Sequence, residues 1–306
     1  AKAALDRFDL QPFDRRIDLG DGIAARFIPA GHLLGAAQIR LEVGGRVVHF
    51  SGDLGHDPDP LMRPPRPFEG ADILVTESTY GNRSHPDTDP EAELAPVLKR
   101  TFARGGTVLI PSFAVGRAQG VMLHIARLMA RGDIPYVPVF LNSPMAVDAT
   151  DIYHRHHAEH HVSREDCVAM FEIAKRVNTV EQSKDLNTRQ GPMIIVSASG
   201  MLTGGRILHH LASFGGDRRN TILLSGFQAG GTRGAVLADG ARTLRMFGRE
   251  FPIEAEVVQL QSFSGHADAD EILRWMSAGP APTMTYLTHG EPVTADTLRF
   301  RVEHEL

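Results

Sequence analysis

The feature that most constrains the fold is a regular alternation of predicted helices and strands after residue 90. A helix is predicted near 90–104 and a longer amphipathic helix at 114–131. Short apolar strands lie between and after them: TVLIP, YVPVFLN, MIIVSAS and TILLS. Strands that alternate with helices are joined by crossovers that pack on the sheet, so this pattern predicts an α/β protein with a parallel sheet.

The segments on either side of this region have a different pattern. The first ninety residues alternate apolar and polar side chains in short strands, with a hairpin predicted at the glycine pair of 44–45. The strand-rich pattern returns near residue 250. We therefore predict one domain interrupted by another, with a first part at 1–90, an inserted domain at 91–245 and a returning part at 246–306.

Composition excludes several classes of protein. Of the 306 residues, 42% are hydrophobic and 23% are charged, which is typical of a folded chain. No apolar run has the length that a bilayer requires and no signal peptide is recognisable, so we expect a cytoplasmic protein without a membrane partner. The single cysteine, Cys167, excludes a multi-thiolate zinc site. Any metal must therefore be bound by nitrogen and oxygen ligands.

Five short segments share one design, in which a predicted strand ends in a glycine-containing turn that presents a metal-binding or acid–base side chain. The segments are AGHLLG with His32, SGDLG with Asp53, TESTYG with Glu77, FSGHAD with His266 and LTHGEP with His289. Glycine lets the backbone approach a bound ion or phosphate closely. One such turn alone is more often structural, but imidazoles and carboxylates at several strand ends are typical of a zinc site.

In this order, the five segments resemble the metallo-β-lactamase superfamily, and within it the β-CASP branch that processes nucleic acids. Three further segments resemble the insertion of that branch: IPSFAVGRAQ, SASGMLTGGRILHHL and SGFQAGGTRG. The resemblance spans nearly the whole chain. It implies a metallo-β-lactamase αββα sandwich with an inserted Rossmann-like β-CASP domain.

The resemblance also implies a role for each residue of the five turns. His32 and His289 would be metal ligands, and Asp53 would bridge two zinc ions at the catalytic centre. Glu77 and His266 would be partners in proton transfer. A carboxylate beside His266 favours its protonated form, which can give a proton to the departing ribose oxygen.

One departure from the family pattern is large. The family's HxHxDH signature, which supplies most of the metal ligands, is absent, and residues 1–31 contain no histidine. We therefore expect an N-terminally truncated fold that lacks its first strands and leaves an apolar sheet face open. The complete enzyme would bind two zinc ions, whereas this chain would bind none or one weakly and be inactive alone.

Two other segments have competing interpretations. The segment SASGMLTGGR would bind phosphates of RNA through Ser197, Ser199, Gly200 and Arg206, although the same pattern is typical of an ordinary strand-to-helix turn. The histidine-rich segment 154–161 contains pairs with i, i+4 spacing, but a polar helix end explains it better than a metal clip.

The sequence thus predicts a zinc-dependent ribonuclease that hydrolyses RNA phosphodiester bonds. Two alternatives stay open. One is a nucleic-acid-binding scaffold without hydrolytic activity, because the HxHxDH signature is missing. The other is a small-molecule metallohydrolase of the same fold. A homodimer, the RNA target and the mode of cleavage are also left open.

Overall fold

A computed structural model describes residues 2–306. The strands are β1 (Arg16–Gly20), β2 (Ile23–Pro29), β3 (Ala37–Val43), β4 (Arg46–Phe50), β5 (Ile73–Glu77), β6 (Thr107–Pro111), β7 (Val139–Leu141), β8 (Ala174–Arg176), β9 (Met193–Ser197), β10 (Thr221–Ser225), β11 (Thr243–Met246), β12 (Arg249–Pro252), β13 (Glu256–Leu260) and β14 (Met284–Thr288). The α-helices are α1 (Lys2–Leu5), α2 (Pro90–Ala103), α3 (Arg117–Ala130), α4 (Pro144–Arg155), α5 (Arg164–Glu172), α6 (Val180–Leu186), α7 (Ile207–Phe214), α8 (Arg233–Ala238), α9 (Ala269–Met276) and α10 (Pro292–Glu305).

These elements form two compact units. The first contains the chain up to Ser84 together with Gly265–Leu306, and the second is His85–Ser264. No helix within residues 2–306 has both the length and the apolar character needed to cross a membrane.

The first unit contains a six-stranded sheet in the order β1-β2-β3-β4-β5-β14. Strands β1 to β4 pair antiparallel, with the predicted hairpin joining β3 and β4, while β4, β5 and β14 run parallel. One face of the sheet packs on α9 and α10, where Leu74 is buried with Ile272, Trp275 and Leu298. Parallel β4, β5 and β14 therefore end at one edge of the sheet.

The opposite face of this sheet carries apolar side chains that remain partly exposed. Ile39 and Phe50 are direct cross-strand partners and are 36% and 39% exposed. On the edge strand β14, Met284 and Tyr286 are 51% and 55% exposed. The same face includes Leu41, Val48, Ile73 and Val75. An apolar face of this kind is what the sequence predicted for this sheet.

The second unit contains a parallel six-stranded sheet in the order β13-β10-β6-β9-β7-β8. The α/β fold class predicted from the alternation of helices and strands is confirmed. The boundary between the two compact units after the second unit lies at Ser264. Strands β12 and β13 lie within the predicted returning part, 246–306, whereas β13 pairs with β10 in the sheet of the second unit. The domain division itself stays a prediction.

Strands β11 and β12 form a small hairpin in this unit. Its inward side chains, Leu244 and Met246, are buried in the core of the second unit. The turn consists of Phe247 and Gly248, and both have positive φ angles, of 51° and 78°. Two consecutive left-handed residues give the turn geometry that matches the twist of a tight hairpin.

Candidate metal centre

The five predicted turns meet within the first unit. Asp53, Glu77 and His289 follow or end the parallel strands β4, β5 and β14, whose carboxyl ends share one edge of the sheet. His32 follows β2, and an isolated bridge between Gly55 and His266 brings the fifth turn alongside. Sheet topology therefore assembles side chains that are up to 257 residues apart in the sequence, as the span from His32 to His289 shows.

Asp53 occupies the centre of this cluster. Its Oδ1 lies 3.5 Å from His289 Nδ1 and its Oδ2 lies 3.9 Å from His32 Nε2. The Asp53 side chain is 40% exposed, so the carboxylate is open on one side. This carboxylate presents one oxygen to each of the two imidazoles.

His32 is held in one ring orientation. Its Nδ1 donates to the backbone carbonyl of Gly265 at 2.8 Å, because a carbonyl oxygen can only accept. Burial, and then the charge of the neighbouring His266, lower the pKa of His32. Both effects favour the neutral imidazole, the form in which histidine binds a metal ion, and Nε2 is the ring nitrogen on the side of Asp53.

Glu77 and the half-buried His266 form a hydrogen-bonded pair beside this cluster. His266 Nδ1 lies 3.2 and 3.1 Å from the two Glu77 carboxylate oxygens, and Glu77 is only 1% exposed. Burial alone would raise the pKa of Glu77, but its hydrogen bond with His266 and the His266 charge hold that pKa below its ordinary value. The Leu54 amide also donates to Glu77. Glu77 is thus an ionised acceptor for His266 Nδ1.

The glycines of these turns allow the backbones to pack closely. A Cβ added to Gly55 would lie 2.3 Å from the carbonyl oxygen of Gly31, and one added to Gly31 would lie 2.7 Å from that of Arg63. Leu54, beside Gly55, is bridged to Gly31. A side chain at Gly55 would separate the turns that carry His32 and Asp53, and one at Gly31 would push the His32 turn away from residues 63–65, so both positions require glycine.

The donor set fits zinc. Ligand atoms of His32, Asp53 and His266 lie within 4.8 Å of one another, and so do those of Glu77, His266 and His289. Zinc–ligand distances of about 2.0–2.2 Å in a tetrahedron separate ligand atoms by roughly 3.3–3.6 Å, close to the two Asp53–histidine distances. Both groups share His266, while His32 and His289 each lie within 4 Å of Asp53, so these residues fit one ion held between Asp53 and the two histidines.

The predicted phosphate-binding segment lies in the second unit, and its residues differ in availability. Ser197 is buried and donates to the carbonyl of Asn142 at 2.8 Å. Arg206 donates to Asn142 Oδ1 and to the carbonyls of residues 177 and 178. These two side chains hydrogen-bond within the unit, and their assignment to substrate phosphate stays a prediction. Ser199 and Gly200 lie in the loop after β9, and the Ser199 hydroxyl contacts that of Thr203 at 2.9 Å.

The histidine-rich segment 154–161 is divided between the end of α4 and a single 3₁₀ turn. His160 is buried, with Nε2 3.1 Å from the carbonyl of Tyr153. Among residues 2–306, no group of potential metal ligands includes these histidines. The structure therefore agrees with a polar helix end.

One pair beside the site was missed from the sequence. His56 Nδ1 lies 2.9 Å from Glu271 Oε2, and Glu271 also accepts from the Asp57 amide and caps α9. Burial opposes protonation of His56, but the hydrogen bond and charge of Glu271 raise its pKa above the ordinary value. The His56 amide also donates to Gly265 at 3.3 Å, so this pair fixes the turn before His266. The capping signal in ADADE was the one local indication of Glu271.

Comparison with known proteins extends these observations. The Beta-Casp domain model matches residues 118–237, and that of the Zn-dependent metallo-hydrolase RNA specificity domain matches residues 250–306. An RNase J-like protein of Methanocaldococcus jannaschii is 31% identical over 94% of the chain and 68% of its own length. The chain belongs to the β-CASP branch of the metallo-β-lactamase superfamily. The resemblance inferred from the turns is thereby confirmed.

Other β-CASP relatives are similar over comparable lengths. A ribonuclease of Thermus thermophilus is 37% identical over 88% of the chain, and a transcription termination factor, FttA, of Methanosarcina mazei is 31% identical over 91%. The chain spans 63% of the length of the first and 47% of the second. The two family models together cover the second unit's central part and the chain's last residues.

Proposed function

We propose that this β-CASP protein hydrolyses phosphodiester bonds of RNA in a zinc-dependent reaction at the site of the first unit. The observation that carries the proposal is the meeting of His32, Asp53 and His289 beside the Glu77–His266 pair. The names of the Thermus and Methanocaldococcus relatives support RNA as the substrate. The domain division at 1–90, 91–245 and 246–306 and a homodimer remain predictions.

His32, Asp53 and His289 would hold the metal. When bound, zinc would supply Lewis-acid activation of water and of the scissile phosphate. The residues present provide for one such ion, and we propose that the complete enzyme has two. The buried thiol of Cys167 fits a reducing cytoplasm, where we place the activity.

His266 would donate the proton that the departing ribose oxygen needs. Because Nδ1 is directed to Glu77, the other ring nitrogen, Nε2, is the atom that transfers the proton. Glu77 orients the ring and stabilises the imidazolium, and its own burial keeps water from competing for that hydrogen bond. Without this proton the leaving group would be an alkoxide.

Ser197, Ser199, Gly200 and Arg206 are the proposed phosphate contacts of the second unit. Ser199 is half-buried and Gly200 is buried in the loop after β9. A Cβ added to Gly200 would lie 3.0 Å from the Phe113 ring, so glycine keeps this loop close to Phe113. The Ser199 hydroxyl and the loop backbone would bind the phosphate.

A degradation assay on the natural full-length protein tests the proposal. Labelled RNA, DNA of the same sequence and a chromogenic lactam are each incubated with zinc and with chelator. We expect RNA to be degraded only with zinc. Binding without degradation would identify a scaffold, and turnover of the lactam alone would identify a small-molecule hydrolase.

Zinc stoichiometry tests the ligand assignment on the 306-residue chain itself. After dialysis against dilute zinc, we expect no more than one equivalent at this site, because His32 and His289 share the single carboxylate of Asp53. Asp53→Asn should abolish the bound zinc, whereas Asp296→Asn, at an exposed carboxylate of α10, should not. Two tightly held equivalents would show that the ligand assignment is wrong.

A further inference from the structure

The tip of the β11–β12 hairpin presents an aromatic ring in a costly backbone conformation. Phe247 is 53% exposed and has a φ of 51°, in the left-handed region that favours glycine. Non-glycine residues persist in such conformations mainly where the surroundings hold them and where a function uses them. The exposed ring of Phe247 is therefore a candidate surface for binding a planar ligand.

Neighbouring rings extend this surface. Phe247 stacks on the exposed His209 ring of α7, with centroids 4.7 Å apart and planes inclined by 27°. Phe251 meets the Phe247 ring edge-on at 6.3 Å. Phe247 is 53% exposed beside these contacts, so a planar group can reach its ring from solvent.

Exposed arginines lie on both strands of the hairpin, with Arg249 on the same face as Phe251 and Arg245 on the other face. Arg242, Arg245 and Arg249 are exposed, and within residues 2–306 none of their guanidinium groups joins an ion pair. The Arg249 guanidinium lies 4.7 Å from the centroid of the Phe251 ring. Glu250 is the one acidic residue of 243–252 and lies opposite Arg245 in the hairpin register. The hairpin therefore combines exposed aromatic surface with net positive charge.

The same chain contains a matched arrangement without this charge. In α10, Phe300 is 57% exposed, stacks on His304 at 4.7 Å and has Arg299 at 5.6 Å from its centroid. Arg299, however, is paired with both Asp296 and Glu303. A Phe–His stack thus occurs on both the hairpin and α10. Of the two, and within the described residues, only the hairpin has nearby arginines that form no ion pair.

We propose that the hairpin tip, defined by Phe247, Arg245 and Arg249, binds single-stranded nucleic acid. A base would stack on Phe247, and the arginines would contact the flanking phosphates, as in single-strand-binding grooves. The inference goes beyond the proposed hydrolysis, because binding here requires neither metal nor the Glu77–His266 pair.

Binding of a fluorescein-labelled oligouridylate, measured by anisotropy with chelator present, tests the stacking contact. Phe247→Ala should weaken binding roughly 5- to 100-fold, the range for loss of one base–aromatic stack. Phe247→Trp should restore it. Phe247→Gly, which adopts the left-handed turn without strain, should bind as weakly as Phe247→Ala while remaining folded. Phe300→Ala is the matched control and should bind like the unchanged protein.

Inorganic polyphosphate separates the phosphate contact from the base contact. The double variant Arg245→Gln with Arg249→Gln should bind both polyphosphate and oligouridylate more weakly. For oligouridylate, the slope of log affinity against log salt concentration should fall in magnitude by about 0.7 for each phosphate that is no longer neutralised. Phe247→Ala should leave polyphosphate binding unchanged. Unchanged oligouridylate binding by Phe247→Ala, or an equal loss in Phe300→Ala, would overturn the proposal. If RNA is not degraded but Phe247→Ala still weakens binding, the proposed hydrolysis alone fails.

Discussion

At the scale of single residues, Glu77 and His266 act as one unit. A carboxylate that is 1% exposed stays ionised because His266, Leu54 and Thr79 supply hydrogen bonds or charge. The sequence placed both residues in the site because each ends a glycine-containing turn. It could not show the His56–Glu271 pair, whose partners lie 215 positions apart and lack a common local pattern.

Replacing Glu77 by Gln should remove the charge while preserving the shape of the side chain. We expect turnover on RNA to fall roughly a hundredfold or more, because the imidazolium loses its stabilising partner. Zinc content should be unchanged, and the losses in Glu77→Gln and His266→Ala should not add. Glu305→Gln, at an exposed ion pair of α10, is the control. If His266→Ala also lost zinc, His266 would be a ligand rather than the proton donor.

His49 is a buried group that governs stability rather than catalysis. It lies on β4 between β3 and β5, donates through Nε2 to Gln38 Oε1 at 2.9 Å, and contacts the rings of Phe68 and Trp275. Burial, and then the charge of Arg40, lower its pKa from 6.5 to about 4. The folded state therefore binds the His49 proton less readily than the unfolded state does.

The sign of the resulting pH dependence follows from linkage. As the pH falls from 6.5 to about 4, the unfolded chain gains a proton at His49 that the folded chain does not, so stability falls by about 3 kcal/mol. His49→Leu should lower stability at pH 7 but flatten this decline. The free energy of unfolding at each pH is measured by urea unfolding, followed by the fluorescence of Trp275, whose ring centroid lies 5.8 Å from that of His49. His304→Leu, at an exposed histidine, should keep the full decline.

At the scale of elements, the site depends on close backbone contacts between turns. The strand pattern of the first unit and the helix–strand alternation of the second follow from residue periodicity, so they could be predicted. The sheet to which β13 belongs could not be predicted, because its short apolar pattern fits either sheet. Its pairing with β10 assigns it to the sheet of the second unit. Likewise, the hydrogen bonds that Ser197 and Arg206 donate to Asn142 could not be predicted, because Asn142 lies 55 and 64 positions away from them in the sequence.

Gly55→Ala tests the contact between the turns of His32 and Asp53. The new methyl group would meet the Gly31 backbone at 2.3 Å, and backbone cannot rotate away. We expect a loss of about 1–3 kcal/mol in the free energy of unfolding, as for other overpacked sites, together with weaker zinc binding. Gly204→Ala is the control, because an added Cβ there has no neighbouring atom within 4 Å. It should change neither the free energy of unfolding in a urea titration nor the zinc affinity in a zinc titration.

At the scale of the whole molecule, the sheet of the first unit has one packed face and one open apolar face. Ile39, Phe50, Met284 and Tyr286 are all at least 36% exposed there. Contiguous apolar patches of this kind on soluble proteins usually mark a surface that another element or chain covers. The sequence anticipated the open face from the missing HxHxDH signature, but its position on β3, β4 and β14 required the sheet order.

Dye binding tests this face. Ile39→Thr with Phe50→Thr should lower the fluorescence of a bound hydrophobic dye and reduce self-association measured by gel filtration, because both changes remove exposed apolar surface from one patch. Phe113→Thr changes an exposed ring of the second unit and is the control. Equal dye binding by the double variant would show that the patch is not the dye's site.

The long separation between partners also sets the order in which the site forms during synthesis. Glu77 and His266 are 189 positions apart, because the second unit is inserted between them. At about 5–20 residues per second, a ribosome needs roughly 10–40 s to pass from one to the other. During that interval the nascent chain has His32, Asp53 and Glu77 but neither His266 nor His289. The Glu77–His266 pair and the full set of proposed zinc ligands therefore become available only after the whole second unit has been translated.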